Sequence, residues 1–297
     1  MKQLFTSLLV ILIIQGSHSQ EEPILKIGLV ADPQYADQPV SGKRYYRESL
    51  WKLNEAIASF NENQVDFVQN LGDIIDGGWI SFDSILPLYQ NLEPGIENYH
   101  LLGNHDFRVP TNRMKKLLEK LSMPDYYYTY KKKGWQFIVL DANDYAYYSN
   151  PLHKRNINLL NWYYDSTIGN PNHRSYNSAI GEKQQKWLKK ELARASESGS
   201  KVIIFSHSPL RPMYNAENLW NYEEIIDIIE ENHNVVAYIN GHNHKGGYES
   251  KNGTHYLTIY GMVNTKISSY GILEIYENNL VLNGFGKQKS FKLKINQ

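Results

Sequence analysis

Apolar residues recur along this chain in two periods, and the alternation between the periods lays out the fold. From Tyr46, the residues Leu50, Leu53, Ile57 and Phe60 follow at helical steps, which predicts an amphipathic helix over 45–63. Similar stripes predict helices over 111–121, 182–196 and 220–233. Trp187, Leu188 and Leu192 share a face of the third, and Tyr222, Ile225, Ile226 and Ile229 turn inward on the fourth. Between the helices lie short β-rich runs at 24–31, 65–70, 98–102, 135–141, 201–206 and 235–240. Beyond 241 the helical spacing stops, and 254–259, 269–276 and 280–285 read as a β-meander. The stretch 142–180, rich in Asn, Tyr, Pro and His, shows neither period and reads as an irregular insertion.

Strands that alternate with helices and then continue alone predict an α/β (α+β) fold, with two packed sheets flanked by helices. No repeat or linker divides residues 20–297, so a single domain is expected. Five polar segments stand at the ends of predicted strands: Asp32-Pro33-Gln34, Gly72-Asp73, Gly103-Asn104-His105-Asp106, Ser206-His207-Ser208 and Gly241-His242-Asn243-His244. Ligands of layered α/β proteins gather at the carboxyl ends of strands, so one edge of the sheets would collect all five.

Their chemistry is that of a two-metal site. Asp73 is the candidate to bridge two cations. Asp32 and Gln34, two apart on an extended segment, can face the same way and share the first metal with Asp73 and one histidine. Asn104 offers an amide oxygen to the second, with His207 and a histidine from His242 or His244. Imidazole, carboxylate and amide donors without thiolate suit Mn²⁺ or Mg²⁺, and also Fe²⁺ or Zn²⁺; the neutral oxygen of Gln34 tilts the set towards Mn²⁺. Two metals about 3.5–4 Å apart can clamp a phosphate and generate hydroxide at neutral pH. His105, beside a ligand, is the candidate to donate a proton or hydrogen bond to the phosphoryl or leaving oxygen, and Asp106 to orient its imidazole. Asp76 is read either as a support of the site or as part of the turn with Gly77 and Gly78.

Composition narrows the picture. The 297 residues carry 31 basic and 31 acidic side chains, which argues against a nucleic acid duplex as partner. With no cysteine, disulfides, zinc–thiolate sites and thiol catalysis are excluded. Tyrosine is abundant, and the rings between Tyr145 and Tyr164 could stack on a base. Lys2, the apolar run 4–14 and Ser17-His18-Ser19 read as a signal peptide over 1–19, with export to the periplasm or medium. An 11-residue run extends only about 16 Å as a helix, too short to anchor the chain in a membrane.

The order of these motifs resembles that of the calcineurin-like metallophosphoesterase superfamily. That superfamily usually opens with Asp-x-His; Asp32-Pro33-Gln34, followed by Tyr35-Ala36-Asp37, is similar instead to the manganese-dependent ADP-ribose/CDP-alcohol diphosphatases. Further likeness lies at 44–50 (Arg-Tyr-Tyr-Arg-Glu-Ser-Leu), 180–188, 220–224 and 242–248. The resemblance implies a four-layer αββα sandwich and hydrolysis of the phosphoanhydride of nucleoside diphosphate-linked compounds. It implies Asp32, Gln34, Asp73 and His244 at the first metal, and Asp73, Asn104, His207 and His242 at the second, with His105 as a histidine that ligates neither. The expected partner is a small nucleotide substrate, and the expected state a monomer. The rival readings are an exported phosphodiesterase or phosphomonoesterase of the same superfamily, and a non-catalytic binding module. Asp76 stands where a purple-acid type of enzyme would place a tyrosine, three residues after the bridging aspartate, and no ligand position is empty as it would be in a binding module.

Overall fold

The period-two segments assemble into two six-stranded mixed sheets in a computed structural model that describes residues 22–295. The expected signal peptide falls at 1–19, outside the described residues. In chain order the strands are β1 (Leu25–Val30), β2 (Phe67–Asn70), β3 (Glu97–Tyr99), β4 (Tyr128–Lys132), β5 (Trp135–Val139), β6 (Val202–Ser206), β7 (Val235–Asn240), β8 (Gly247–Lys251), β9 (Thr254–Thr258), β10 (Tyr270–Ile275), β11 (Asn279–Phe285) and β12 (Phe291–Lys294). The helices are α1 (Ser49–Glu62), α2 (Trp79–Ile85), α3 (Thr111–Met114), α4 (Leu117–Lys120), α5 (Asn150–His153), α6 (Ile157–Asp165), α7 (Glu182–Glu197) and α8 (Tyr222–Glu230).

One sheet runs β12-β11-β10-β1-β2-β3 and the other β4-β5-β6-β7-β9-β8. Alternation along the strands decides what each face covers. Phe137, Val139, Ile203, Phe205, Ala237 and Ile239 join the core between the sheets, together with Ile27, Leu29 and Phe67. Ile138, Ile204 and Tyr238 point the other way, onto Leu188 and Leu192 of α7 and Ile225 and Ile229 of α8. Phe67 meets Phe137 edge-on, with ring centroids 5.1 Å apart. On the far side of the first sheet, α1 lays Phe60 over Gly28, where an added Cβ would stand 3.0 Å from the ring. The result is the expected sandwich of two mixed sheets flanked by helices.

Three local expectations are corrected. The segment 254–259 does not enter a meander with 269–276. Instead β9 pairs parallel with β7 in the second sheet, while β10 lies antiparallel to β1 in the first. All residues of β9 are buried, and a fully buried strand shows no preferred face by which sequence could choose its sheet. The helix expected over 111–121 is two short helices, α3 and α4, separated at Lys115 and Lys116. The stretch 142–180 contains α5 and α6; Asn156 caps α6 by accepting the backbone N–H groups of Asn158 and Leu159.

Candidate metal centre

Parallel strands β1, β2, β6 and β7 all release their chains at the same edge, and that topology brings the polar segments together. Four of the expected ligands then turn sharply: Asp32, Gln34, Asp73 and His242 have φ of 49°, 44°, 52° and 64°. Left-handed backbone is costly for residues with side chains and persists where packing enforces it, often at functional sites. Tolerance for side chains ends at the two glycines beside them. A Cβ on Gly103 would stand 2.2 Å from the Asp73 carboxylate, and one on Gly72 would stand 2.8 Å from His207 Nδ1.

The side chains form two donor clusters that share Asp73. In one, donor atoms of Asp32, Asp73 and His244 lie within 4.8 Å of one another; in the other, those of Asp73, His207 and His242 do. Asn104 joins the second, its Oδ1 standing 3.3 Å from His207 Nε2. Gln34 joins the first, with its amide nitrogen 2.8 Å from Asp73 Oδ2 and 3.2 Å from His244 Nε2. Its Oε1 is buried without a partner. Reversing this amide exchanges the two atoms and presents the orphaned oxygen to the cluster, the orientation a cation would select. The donor set therefore fits two oxygen-tolerant divalent cations.

Supporting contacts set the ring tautomers. His207 Nδ1 donates to the Leu71 carbonyl at 2.8 Å and His244 Nδ1 to Asn264 Oδ1 at 3.1 Å, which leaves both Nε2 atoms free as ligands. The loop carrying Asn264 is held by a buried lysine: Lys52 Nζ donates to the carbonyls of Met262 at 2.7 Å and Thr265 at 3.0 Å. The centre is built for positive charge. Burial would raise the Asp73 pKa, but His207 and His105 outweigh it and hold it well below the usual carboxylate range. Burial would lower that of His207, yet Asp73 and Asp32 hold it up at about 9.

His105 stands at the edge of both clusters. Its backbone N–H donates to Asp73 Oδ1 at 2.7 Å, and its Nε2 lies 4.0 Å from Asp73 Oδ2. The carboxylate on its imidazole is Asp76, with Oδ1 2.9 Å from Nδ1. This corrects the expectation for Asp106. The two oxygens of Asp106 accept the backbone N–H groups of Gly103, Asp73, Ile74 and Ile75, at 2.9–3.2 Å. Adjacent residues on the 3₁₀ turn at 105–107 point apart, so Asp106 ties the Asp73 loop to the Asn104 loop while His105 faces the clusters. Asp76 also meets Arg44 at 3.4 Å and Arg108 at 3.8 Å.

A cleft of about 330 Å³ opens over the clusters, and Arg44, Arg108, Tyr176, Glu217 and Lys245 line it with the expected ligands, all but the deeper Asp32 and His207. Sequence reasoning assigned none of these five to the site, because a side chain at a cleft rim carries no local signature. None of the tyrosines between 145 and 164 lines the cleft; Tyr145, Tyr147, Tyr163 and Tyr164 pack on one another and on Trp220. The insertion reaches the site at its end, where Tyr176 lines the cleft and Asn177 places its Oδ1 3.1 Å from His242 Nε2.

The profile of the family "Calcineurin-like phosphoesterase" matches residues 25–246, three quarters of the chain. The chain belongs to the calcineurin-like phosphoesterases. It is 31% identical to a manganese-dependent ADP-ribose/CDP-alcohol diphosphatase of Oryza sativa subsp. japonica, over 91% of this chain and 94% of the relative. It is 30% identical to the protein of the same name from Arabidopsis thaliana, over 91% and 96%. Among solved structures it superposes on a dimetal phosphatase from Danio rerio with a TM-score of 0.80 and 25% identity, over 93% of this chain and all of that one. The chain is thus a metal-dependent hydrolase of phosphoric esters or anhydrides.

One expected ligand, Gln34, stands where Asp-x-His members carry an imidazole. Gln34→His is expected to keep both metals, since imidazole is also a good ligand, and to shift the ratio of Mn²⁺- to Zn²⁺-supported activity or the substrate profile. Metal analysis and a two-metal activity titration check this, and an unchanged profile would show that Gln34 is not a selectivity ligand.

Proposed function

We propose that this protein cleaves the phosphoanhydride of nucleoside diphosphate-linked compounds, ADP-ribose and CDP-alcohols among them, with Mn²⁺ as cofactor. The observation that carries the reading is the pair of donor clusters sharing Asp73, beside an imidazole that belongs to neither. The names of the two plant relatives, which match along almost their whole length, supply the substrate class.

Asp32, Gln34, Asp73 and His244 would hold one cation, and Asp73, Asn104, His207 and His242 the other. Bound there, the pair supplies neutralisation of phosphoryl charge and activation of water. The remaining work falls to the chain. His105, held at Nδ1 by Asp76, presents Nε2 to the cleft, where its protonated form donates a hydrogen bond to the departing phosphate. Arg44 and Arg108 meet the diphosphate at the cleft wall while their contacts with Asp76 limit their motion. A phosphate monoester leaves a diphosphate far more readily than an alkoxide leaves a diester, so modest stabilisation by these groups suffices for an anhydride.

At equal concentration with Mn²⁺, ADP-ribose and CDP-choline are expected to be hydrolysed faster than p-nitrophenyl phosphate or cyclic AMP, and chelation to abolish all activity. Preference for either of the last two compounds would move the protein to a phosphomonoesterase or cyclic-nucleotide phosphodiesterase. Undiminished turnover after metal removal would end the two-metal reading.

Export completes the proposal, motivated by Lys2, the apolar run 4–14 and Ser17-His18-Ser19. No helix among the described residues is long and apolar enough to cross a membrane. The full-length chain, expressed with an intact secretion pathway, is expected outside the cytoplasm as a monomer that begins near Gln20. N-terminal sequencing and sedimentation check this; an intact Met1 on cytoplasmic protein would refute it.

A further inference from the structure

We propose that a basic, aromatic hollow beside the catalytic cleft binds a further phosphate carried by the substrate, so that nucleotides with a phosphate beyond the diphosphate are preferred. The proposal rests on the diphosphatase reading. The hollow measures about 420 Å³ and is lined by Lys245, Tyr248, Tyr260, Lys287, Lys289 and Phe291, with Gly246, Gly247 and Gln288. Lys245 lines both this hollow and the cleft, directly after His244, so the two spaces adjoin at one side chain.

The cations of the two spaces differ in their state. Arg44 and Arg108 are paired with Asp76 in the cleft. The lysine ion pairs of the described residues involve Lys120, Lys132, Lys133 and Lys186, so Lys245, Lys287 and Lys289 have no carboxylate partner among them. In a chain with 31 basic and 31 acidic residues, three unpaired ammonium groups around one hollow form a local excess of positive charge. The diphosphate is already served by the metal ligands, Arg44 and Arg108, so Lys287 and Lys289 are left for another anion.

The lysine-bearing turn between β11 and β12 is held in place. Buried Gln288 accepts the Tyr260 backbone N–H at 2.8 Å and donates to the Lys289 carbonyl at 2.9 Å. Tyr248 packs on Phe291 with centroids 5.0 Å apart, and its hydroxyl meets His255 Nδ1 at 3.1 Å. Aromatic surface and ammonium groups lining one hollow suit a base or sugar that bears a phosphate, and suit a lone carboxylate poorly.

Two measurements on the full chain with Mn²⁺ test this. In equilibrium titrations, adenosine 2′,5′-bisphosphate or adenosine 3′,5′-bisphosphate is expected to bind about tenfold more tightly than AMP. The Lys287→Ala/Lys289→Ala variant, whose folding is verified by its thermal melt, is expected to bring that ratio close to one. In turnover, kcat/KM for ADP-ribose 2′-phosphate relative to ADP-ribose is expected to fall with the same substitutions. Equal binding of AMP and both bisphosphates by the unaltered chain overturns the proposal, as does a preference that survives in the double variant. A bisphosphate preference lost in the variant, without hydrolysis of either ADP-ribose compound, would support the hollow while refuting the diphosphatase reading.

Discussion

Asp73→Ala is expected to empty both metal positions and to reduce kcat/KM by at least about 10³-fold, more than loss of one hydrogen-bond donor to a transition state commonly costs. Among the described residues, Asp73 is the side chain common to both donor clusters. Its carboxylate also accepts the His105 backbone N–H at 2.7 Å, so the substitution frees the loop that presents the imidazole. Asp73→Asn keeps an oxygen for that hydrogen bond but carries no charge, and it separates loss of fold from loss of metal. Metal content per chain, thermal melting and kcat/KM are measured together. An alanine variant that retains two Mn²⁺ per chain and a tenth of the activity would show that Asp73 is not the bridge.

His105→Ala is expected to behave differently, with both metals retained and kcat lowered by about 10²–10⁴-fold. The imidazole lies 4.0 Å from the shared carboxylate and is held by Asp76 on its far nitrogen, a geometry that suits donation to a reacting oxygen better than ligation. Its backbone amide, which alanine keeps, maintains the contact with Asp73. KM should change less than kcat, because the hydrogen bond strengthens as charge develops on the leaving group. Metal analysis decides between the roles: loss of one cation per chain would make His105 a ligand.

The Asp76 contact shows where reading along the chain misleads. Asp106 is next to His105 in sequence and was the natural candidate to hold it, yet Asp76, from another loop, makes the contact. A tight turn sends neighbouring side chains in different directions, and buried amide groups need acceptors. Four such amides converge on Asp106, which makes it a brace between two loops. Nothing in the tetrapeptide Gly103-Asn104-His105-Asp106 distinguishes the two outcomes.

The arginines and lysines around the cleft show the same limit from another side. Arg44 comes from the segment before α1, Arg108 from the turn after His105, and Lys287 and Lys289 from a hairpin near the end of the chain. Lysines and arginines occur throughout this sequence, and only their convergence on adjoining openings sets these apart. Aromatic residues behaved likewise. Tyr145, Tyr147, Tyr163 and Tyr164 pack with Trp220 and Tyr148 packs on Phe107, whereas Tyr176, isolated in sequence, reaches the cleft.

The sequence alone determined the alternation of helices and strands, the placing of polar segments at strand ends and the types of donor atom available to a metal. These follow from local rules: side-chain periodicity, the chemistry of each residue, and the exit of a chain from a parallel strand. Tertiary structure decided which sheet received β9, which carboxylate held His105, and that Asp32, Gln34, Asp73 and His242 would adopt left-handed backbone. Those outcomes depend on contacts between residues far apart in the chain, where the packing of one segment supplies the energy that holds another in a conformation it would not choose alone.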